Sequence, residues 1–337
     1  MIIILKPLIY YLSEKIRILA LKIEYFITSL YQYIITSLHQ FPAKILLFGE
    51  YTVLKGSQAL AIPLESFSGH WSFTAEKTEN TSHQNLLKLK DFLLDLQEKR
   101  QLLFELEAGQ LLADLDKGLF FDSNIQEGYG AGSSGALCAA VYTQYSTQPL
   151  ETNLPLLKKI LAQIEGFFHG ASSGLDPLVS YLRQPVLIQP EGNISAVRDI
   201  KPLINHRFFL LDTGITRRTA PLVNWFLDQC TDAYFEKRCI AELAPLADDA
   251  IHCYLNADLD RMEDALFDLC HQISFFQFRY LKKLIPEAWR EPWLEGLSSD
   301  NFKLKLCGAG GGGFLLGIKK NSLLVPEASF LNKAILI

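Results

Sequence analysis

The hydrophobic pattern of the chain predicts a set of short strands. Residues 43–48, with the sequence AKILLF, form an apolar run of strand length, and Gly49-Glu50 interrupts it before a second apolar stretch over residues 51–54. This arrangement predicts a tight strand–turn–strand at the start of the fold. Later apolar runs of similar length predict further strands, with the sequences VLIQP, FFLLDTG, KLKLC and FLLGI.

Helical periodicity accounts for the longer segments between these strands. Leucines recur at helical spacing among charged residues over residues 85–107, and a second helical pattern covers residues 154–168. An alanine-rich stretch over residues 136–145 follows a glycine-rich loop and predicts another helix. Pro177 suits the first turn of one more helix, because a proline there gives up no hydrogen bond.

A change of pattern near residue 200 divides the chain into two lobes. Long helical stretches between residues 222 and 284 replace the mixed pattern of the first part. The chain has 337 residues, which is long enough for two lobes that each bury a core. We therefore predict an α+β fold with an N-terminal lobe over residues 41–200 and a C-terminal lobe over residues 201–337.

Residues 1–40 are richer in Ile, Leu and Tyr than the rest of the chain. Charged residues interrupt the first half of this segment and polar residues dilute the second, so a clean membrane span is not expected. The spacing suits an amphipathic helix that packs on a partner, on a membrane surface or on the body of the protein. We expect a non-catalytic extension of unknown role and no membrane contact.

Composition narrows the choice of partners and cofactors. Hydrophobic residues make up 49% of the chain and charged residues 20%, which is typical of a packed globular protein. A net charge of -5 provides no basic field for a phosphate backbone, so nucleic acid is not an expected partner. The six cysteines form no CxxC pair and the seven histidines no HExxH, which indicates reduced thiols, a cytoplasmic location and any metal held by oxygen.

Residues 128–135, with the sequence GYGAGSSG, lead directly into the alanine-rich helix. Glycines let backbone N–H groups approach an anion, and the helix directs the positive end of its dipole toward the same place. Phosphate binding is one interpretation, and a tight turn that only avoids Cβ clashes is the other. A dinucleotide-binding GxGxxG site is disfavoured, because the preceding SNIQEGY is polar and does not form a strand.

A second motif, VRDIKPLIN over residues 197–205, resembles the catalytic loop of protein kinases. Its spacing does not fit, because Asn205 falls one position too late after Asp199. We predict a surface turn there.

Glu165 and Asp176 lie at the end of one predicted helix and the beginning of the next. Such a pair can place one oxygen ligand on Mg²⁺ and leave the other carboxylate as a base toward a hydroxyl. Taken singly, a solvated glutamate and an N-capping aspartate are the preferred interpretation. Lys44 also has two interpretations: within an apolar strand it is either a charge at the edge of the sheet or a buried cation that faces an anion.

Three motifs in one order connect these features to a known family. FPAKILLFGEY resembles the first motif of the GHMP kinases, GYGAGSSGA the second and KLCGAGGGG the third. EGFFHGASSGLDP resembles the segment of mevalonate kinases that carries a metal-binding Glu and a catalytic Asp, and DTGITRRTAPLV is similar to a strand–loop–helix of those enzymes. The resemblance covers residues 41–317 and implies the two-lobed GHMP kinase fold, with the active site in the cleft between lobes.

The resemblance also implies ATP and Mg²⁺ as cofactors and assigns roles to particular residues. Asp176 is expected to accept the hydroxyl proton, with Lys44 beside it and near the transferring phosphate. Ser134 and Glu165 are expected to hold Mg²⁺. The residues expected to contact the ATP phosphates are Gly128, Gly130, Ala131, Gly132, Ser133, Ser134 and Gly135.

The acceptor side is less well matched. The residues expected to bind the acceptor are Glu50, Tyr51, His169, Ser173, Cys307, Gly308, Ala309 and Gly310. Mevalonate kinases usually have His where this chain has Tyr51 and Thr where it has Cys307, which weakens binding of a carboxylate-bearing substrate unless Tyr51 replaces the lost contact. Arg217 and Arg218 either hold an acidic acceptor by bidentate contacts or form a solvated pair.

The expected function is transfer of the ATP γ-phosphate to a primary alcohol, with mevalonate as the acceptor, 5-phosphomevalonate as the product and isoprenoid precursor synthesis as the context. A sugar or sugar-phosphate kinase of the same superfamily is the alternative within the class. A catalytically silent nucleotide-binding protein is the alternative of another class, and the retained Lys44, Glu165 and Asp176 argue against it. The sequence is compatible with a homodimer and leaves the oligomeric state and feedback regulation undecided.

Overall fold

The computed structural model describes residues 39–150, 152–197, 207–256, 259–320 and 334–337. The predicted lobe boundary near residue 200 lies outside these ranges, as do nearly all of the extension and all but the first residue of the surface turn over residues 197–205. Within the described ranges, no helix has the length and apolar character needed to cross a bilayer.

The first part of the chain builds a five-stranded antiparallel sheet around one long central strand. That strand, β2, pairs with β1 along most of its length, with β4 near its start and with β3 near its end, and β5 pairs with β4. The strands of this sheet are β1 (Phe41–Phe48), β2 (Ala59–Phe73), β3 (Leu119–Ser123), β4 (Val186–Ile188) and β5 (Ile194–Ala196).

Five helices accompany this sheet. They are α1 (Thr81–Glu98), α2 (Ala108–Asp116), α3 (Ser133–Tyr145), α4 (Leu154–His169) and α5 (Leu175–Leu182). Helix α3 is buried along most of its length, because its alanines and small residues let α5 and β1 pack closely against it. This close packing brings the beginning of α5 next to the beginning of α3.

The second part of the chain forms a four-stranded antiparallel sheet with helices packed on it. The strands follow the order β7-β8-β6-β9. They are β6 (Phe208–Asp212), β7 (Phe302–Leu306), β8 (Phe314–Lys319) and β9 (Ile335–Leu336). The helices are α6 (Thr219–Gln229), α7 (Ala233–Arg238), α8 (Ala244–Asn256), α9 (Leu259–Tyr280) and α10 (Arg290–Ser298).

The buried residues of the two parts form one continuous apolar core. Aromatic pairs cross between them: the ring centroids of Phe48 and Phe208 lie 6.4 Å apart, and those of Tyr129 and Phe314 lie 5.3 Å apart. Such contacts hold the two parts of the chain together.

Two of the predicted elements are wrong in detail. Residues 51–54 do not form a strand, because Thr52–Lys55 is a 3₁₀ turn that ends at Gly56 in the left-handed conformation. The helix predicted over residues 85–107 ends at Glu98, since Arg100 adopts a positive φ of 56° that no α-helix can continue. The helices predicted over residues 136–145 and 154–168 are confirmed.

Candidate active site

The loop before α3 has a backbone that favours glycine. Gly128, Gly130 and Gly132 have φ values of 76°, 70° and 79°, and a Cβ at Gly132 would lie 3.1 Å from Cγ of Lys44. The first backbone N–H groups of α3 have no partner within the helix, as at any helix start. The loop and the helix end together make a cradle for an anion.

Lys44 and Asp176 meet beside this cradle. Lys44 Nζ lies 2.9 Å from Asp176 Oδ1, and the two side chains are 12% and 30% exposed. The backbone N–H of Lys44 also donates to the carbonyl of Ala131 at 2.9 Å, which fixes the loop to β1. Gly135 makes the approach of α5 feasible, because a Cβ there would lie 2.8 Å from the carbonyl carbon of Asp176.

Glu165 faces the same helix end from the last turn of α4. The hydroxyl of Ser134 donates to Glu165 Oε1 at 3.2 Å, and Ser172 donates to the other carboxylate oxygen. Glu165 is only 4% exposed, and this burial, followed by the nearby charge of Asp176, raises its pKa to about 7. Ser134 Oγ also shares a hydrogen bond of 2.9 Å with His169 Nε2.

These donors suit a small hard cation. Ser134 and Glu165 offer only oxygen, which Mg²⁺ prefers, and Mg²⁺ is commonly held by one or two carboxylates together with phosphate oxygens. In the part of the chain that the structure describes, no group of three or more His, Cys, Asp or Glu side chains could hold a metal. The arrangement therefore fits a metal shared with a phosphate ligand better than a closed protein site.

A cavity of about 620 Å³ opens in front of the loop. Its lining combines the glycine loop, His169 and Asp176 with apolar side chains, as expected for a ligand with an anionic and an aromatic part. The lining residues contributed by α1, β3 and the segment after it, α3 and α4 include Thr81, Ser82, Asn85, Phe121, Ile125, Leu137 and Phe168. No motif in the sequence indicated the residues of α1, β3 and the segment after it, because the packing of α1 on β3 brings them beside the loop.

Glu50 and Tyr51 make internal contacts and do not line that cavity. The Glu50 carboxylate is 3% exposed and forms an ion pair with Lys305 of β7. Tyr51 has a φ of 66° and donates its hydroxyl to the carbonyl of Ala309 at 2.6 Å. Its ring lies 4.6 Å from that of Phe226 on α6.

The glycine-rich loop of the third motif, residues 308–313, lies between β7 and β8 and is called the third glycine loop below. Gly308 and Gly310 both have positive φ values, and a Cβ at Gly310 would lie 2.6 Å from the carbonyl oxygen of Leu284. Cys307 precedes the loop and is buried, which raises the pKa of its thiol against the opposing influence of Lys305, Lys44 and Arg217. Ser173, the remaining expected acceptor residue, is exposed, and its hydroxyl accepts from the backbone of Leu175 at the start of α5.

Arg217 lies between the glycine loop of residues 128–135 and the third glycine loop. A Cβ at Gly130 would lie 2.0 Å from Arg217 Nη2, and one at Gly308 would lie 3.1 Å from it. The guanidinium donates to Thr219, while its buried Nε has no hydrogen-bond partner among the described residues. Burial lowers its pKa, opposed by the charges of Cys307, Tyr51 and Asp176. By contrast, Arg218 is exposed.

Arg217 forms no ion pair with any carboxylate in the described ranges. A partly desolvated guanidinium beside two glycine loops is suited to a planar anion from outside the chain. The two arginines thus differ in their surroundings: Arg217 lies half-buried against Gly130 and Gly308, whereas Arg218 is exposed.

Comparison with known proteins gives one family match and a set of distant relatives. Residues 94–184 match the family model described as GHMP kinases N terminal domain. The mevalonate kinase of Thermococcus onnurineus is 28% identical over 204 residues, which are 50% of this chain and 61% of that protein. The chain thus spans about three fifths of the length of the curated relatives it matches.

Solved structures of kinases with different acceptors share the fold. L. major mevalonate kinase in complex with R-mevalonate matches with a TM-score of 0.55 and 19% identity, covering 84% of this chain and 87% of that one. Lactococcus lactis galactokinase complexed with galactose also has a TM-score of 0.55, with 13% identity and coverage of 83% and 84%. The fold alone therefore does not select the acceptor.

Proposed function

We propose that this chain, whose residues 94–184 match the GHMP kinase N-terminal domain, is a GHMP kinase that transfers the terminal phosphate of ATP to an alcohol, and that this alcohol is mevalonate. The observation that carries the proposal is the ion pair of Lys44 with Asp176 at 2.9 Å, beside the glycine-lined start of α3. A base, a cation and an anion cradle at one point are what phosphoryl transfer requires of a protein.

On the nucleotide side, the backbone N–H groups of the loop would bind the phosphates of ATP. Ser134 and Glu165 would hold Mg²⁺, which neutralises phosphate charge when bound. The cavity beside the loop is large enough for the rest of the nucleotide, and its apolar side chains suit an aromatic base.

Asp176 would act as the general base. Its carboxylate accepts the proton of the acceptor hydroxyl, so that the oxygen attacks the terminal phosphate. Lys44 holds the carboxylate in place at 2.9 Å and offsets negative charge that develops on the attacking oxygen.

The acceptor preference rests on Arg217. Mevalonate carries a carboxylate, whereas galactose carries no charge, and a guanidinium without a carboxylate partner in the described chain favours the charged acceptor. The product would be 5-phosphomevalonate, which places the reaction in isoprenoid precursor synthesis, and we propose a cytoplasmic location for it.

An acceptor screen with purified protein tests the proposal. ADP release is measured in a coupled assay with mevalonate, galactose and heptose phosphates, each with ATP and Mg²⁺. We expect turnover with mevalonate. Turnover with a sugar alone would overturn the choice of acceptor, and ATP binding without turnover of any alcohol would favour a silent nucleotide-binding protein.

Arg217→Lys tests the basis of the acceptor preference. The substitution keeps the charge but loses the bidentate fork, so KM for mevalonate is expected to rise about tenfold or more while ATP affinity stays within about twofold. Arg218→Lys is the matched control, because this neighbouring side chain is exposed and should leave KM unchanged. Equal effects of the two substitutions would contradict the assignment.

A further inference from the structure

The turn at residues 49–51 connects the two parts of the molecule at two points. It directly follows β1, which carries Lys44, and it contacts β7 and the third glycine loop. Gly49 is required there, since its φ is 95° and a Cβ would lie 2.4 Å from the carbonyl oxygen of Gln58. The turn is therefore built for one conformation.

Glu50 anchors the turn to β7. Lys305 uses its ammonium for three contacts: the Glu50 carboxylate, the carbonyl of Leu47 at 2.9 Å and the carbonyl of Leu306 at 2.8 Å. Both charged side chains are 3% exposed, so neither can leave without burying an unpaired charge. Because all three donors of the ammonium are occupied, the pair holds the turn at one position on β7.

Tyr51 connects the same turn to the third glycine loop. The backbone N–H of Thr52 donates to the carbonyl of Glu50 at 2.8 Å, and Tyr51 between them has a φ of 66° and a ψ of −40°. This is close to a γ-turn with positive φ, which is rare and strained for a residue with a side chain. Such a conformation persists only where its surroundings fix it, and here the hydroxyl is bonded to Ala309 and the ring packs on Phe226.

The carbonyl that Tyr51 holds belongs to the loop against which Arg217 is placed. Gly308 adjoins the guanidinium of Arg217, and Ala309 follows it in the chain. Beyond Ala309, the amides of Gly311 and Gly313 donate to the carbonyls of Leu284 at 2.6 Å and Ile215 at 2.7 Å. The bond from Tyr51 to Ala309 thus helps to hold residues 308–313, the proposed acceptor wall, beside Arg217.

We propose that residues 49–51 are a latch that fixes the third glycine loop, with Glu50 and Tyr51 acting as positioning residues and not as ligands of the acceptor. The expected change in KM rests on the proposed function, whereas the latch itself rests only on the contacts of residues 49–51. Tyr51 would then differ from the histidine that usually follows Gly-Glu in mevalonate kinases: it holds the third glycine loop through Ala309 and does not contact substrate.

Hydrogen exchange of the ligand-free protein tests the latch directly. Tyr51→Phe keeps the ring on Phe226 and removes only the hydroxyl, so the amides of Gly311 and Gly313 should exchange about three- to tenfold faster. Tyr181→Phe is the matched control, since it removes a hydroxyl that donates to the carbonyl of Leu150 at 3.1 Å, distant in sequence from the loop. Unchanged exchange of the loop in Tyr51→Phe would overturn the proposal.

Steady-state kinetics of the same variants separate positioning from ligation. A displaced acceptor wall should raise KM for the acceptor about three- to tenfold in Tyr51→Phe, with ATP affinity and kcat within about twofold of the unsubstituted protein. A rise in KM without faster loop exchange would make Tyr51 a ligand and overturn the latch. Faster exchange in a protein that phosphorylates none of the tested alcohols would support the latch and count only against the proposed function.

Discussion

The proposed nucleotide side and the proposed acceptor side of the site are held in different ways. On the proposed nucleotide side, residues 128–135, Lys44, Glu165 and Asp176 all belong to the first part of the chain, and the glycine loop and Asp176 line a cavity. On the proposed acceptor side, Glu50 and Tyr51 of the first part are bonded to Lys305 and Ala309 of the second. The first side is held mainly by contacts within the first part, with the backbone N–H of Arg217 also donating to the carbonyl of Gly128 at 2.8 Å, and the second side by side-chain bonds across the molecule.

This difference separates the proposed chemistry from the proposed choice of acceptor. The packing of α3 against β1 and α5 places Asp176 beside Lys44 and the glycine loop, all within the first part of the chain. The proposed acceptor wall depends on a few long-range bonds made by Glu50 and Tyr51. Solved structures of a mevalonate kinase and of a galactokinase share this fold, so the fold alone leaves the acceptor open.

The largest effect is expected from removing the proposed base, Asp176. Asp176→Asn should lower turnover about a hundredfold or more, because an amide cannot accept the hydroxyl proton, while ATP still binds. Single-turnover kinetics and nucleotide titration measure the two effects. Asp95→Asn, on the exposed face of α1, is the control and should match the unsubstituted protein. Normal turnover in Asp176→Asn would remove this residue from the mechanism.

A second test addresses the packing that holds the nucleotide side together. Gly135→Ala places a methyl group 2.8 Å from backbone atoms of Asp176 and Pro177, which cannot rotate away, so unfolding should become easier by about 3 kcal/mol. Urea unfolding measures this change. Gly166→Ala on α4 is the matched control, because its Cβ would meet nothing within 4 Å and alanine favours the helix. Equal stability of the two variants would refute close packing at Gly135.

The smallest expected effect concerns the protonation of Glu165 in metal-free protein. Its pKa rises from 4.5 to about 7 on folding, so the protonated carboxyl stabilises the folded state. This contribution is complete below pH 4.5 and is lost as the pH rises through about 7. Stability relative to Glu165→Gln should therefore fall by on the order of 2 kcal/mol between about pH 5 and pH 8.

Urea unfolding in the presence of a chelator checks this pH dependence. Glu98→Gln, at an exposed position at the end of α1, should follow the unsubstituted protein at both pH values. If the unsubstituted protein and Glu165→Gln showed parallel pH profiles, burial would not hold Glu165 protonated in the metal-free protein.

The helices around the proposed nucleotide side were largely predictable, whereas strands β2 and β3 were not predicted. The helix expected from residue 136 begins at residue 133, and another begins at residue 175, as glycine-rich loops and a well-placed Pro177 indicate locally. The strand expected at residues 51–54 was wrong, because the chain turns there: Tyr51 is buried against Ala309, whereas Leu54 is 48% exposed. A short apolar run therefore fixed neither the backbone conformation nor the burial of its residues.

Sequence alone indicated an anion cradle at residues 128–135, since glycines before a helix start act through backbone geometry that neighbouring residues dictate. Only the tertiary structure brought Lys44 to Asp176, enclosed Glu50 with Lys305 and placed Arg217 between Gly130 and Gly308. These contacts join residues far apart in the chain, and the distance between such side chains is fixed by the packing of whole elements, which no local pattern encodes.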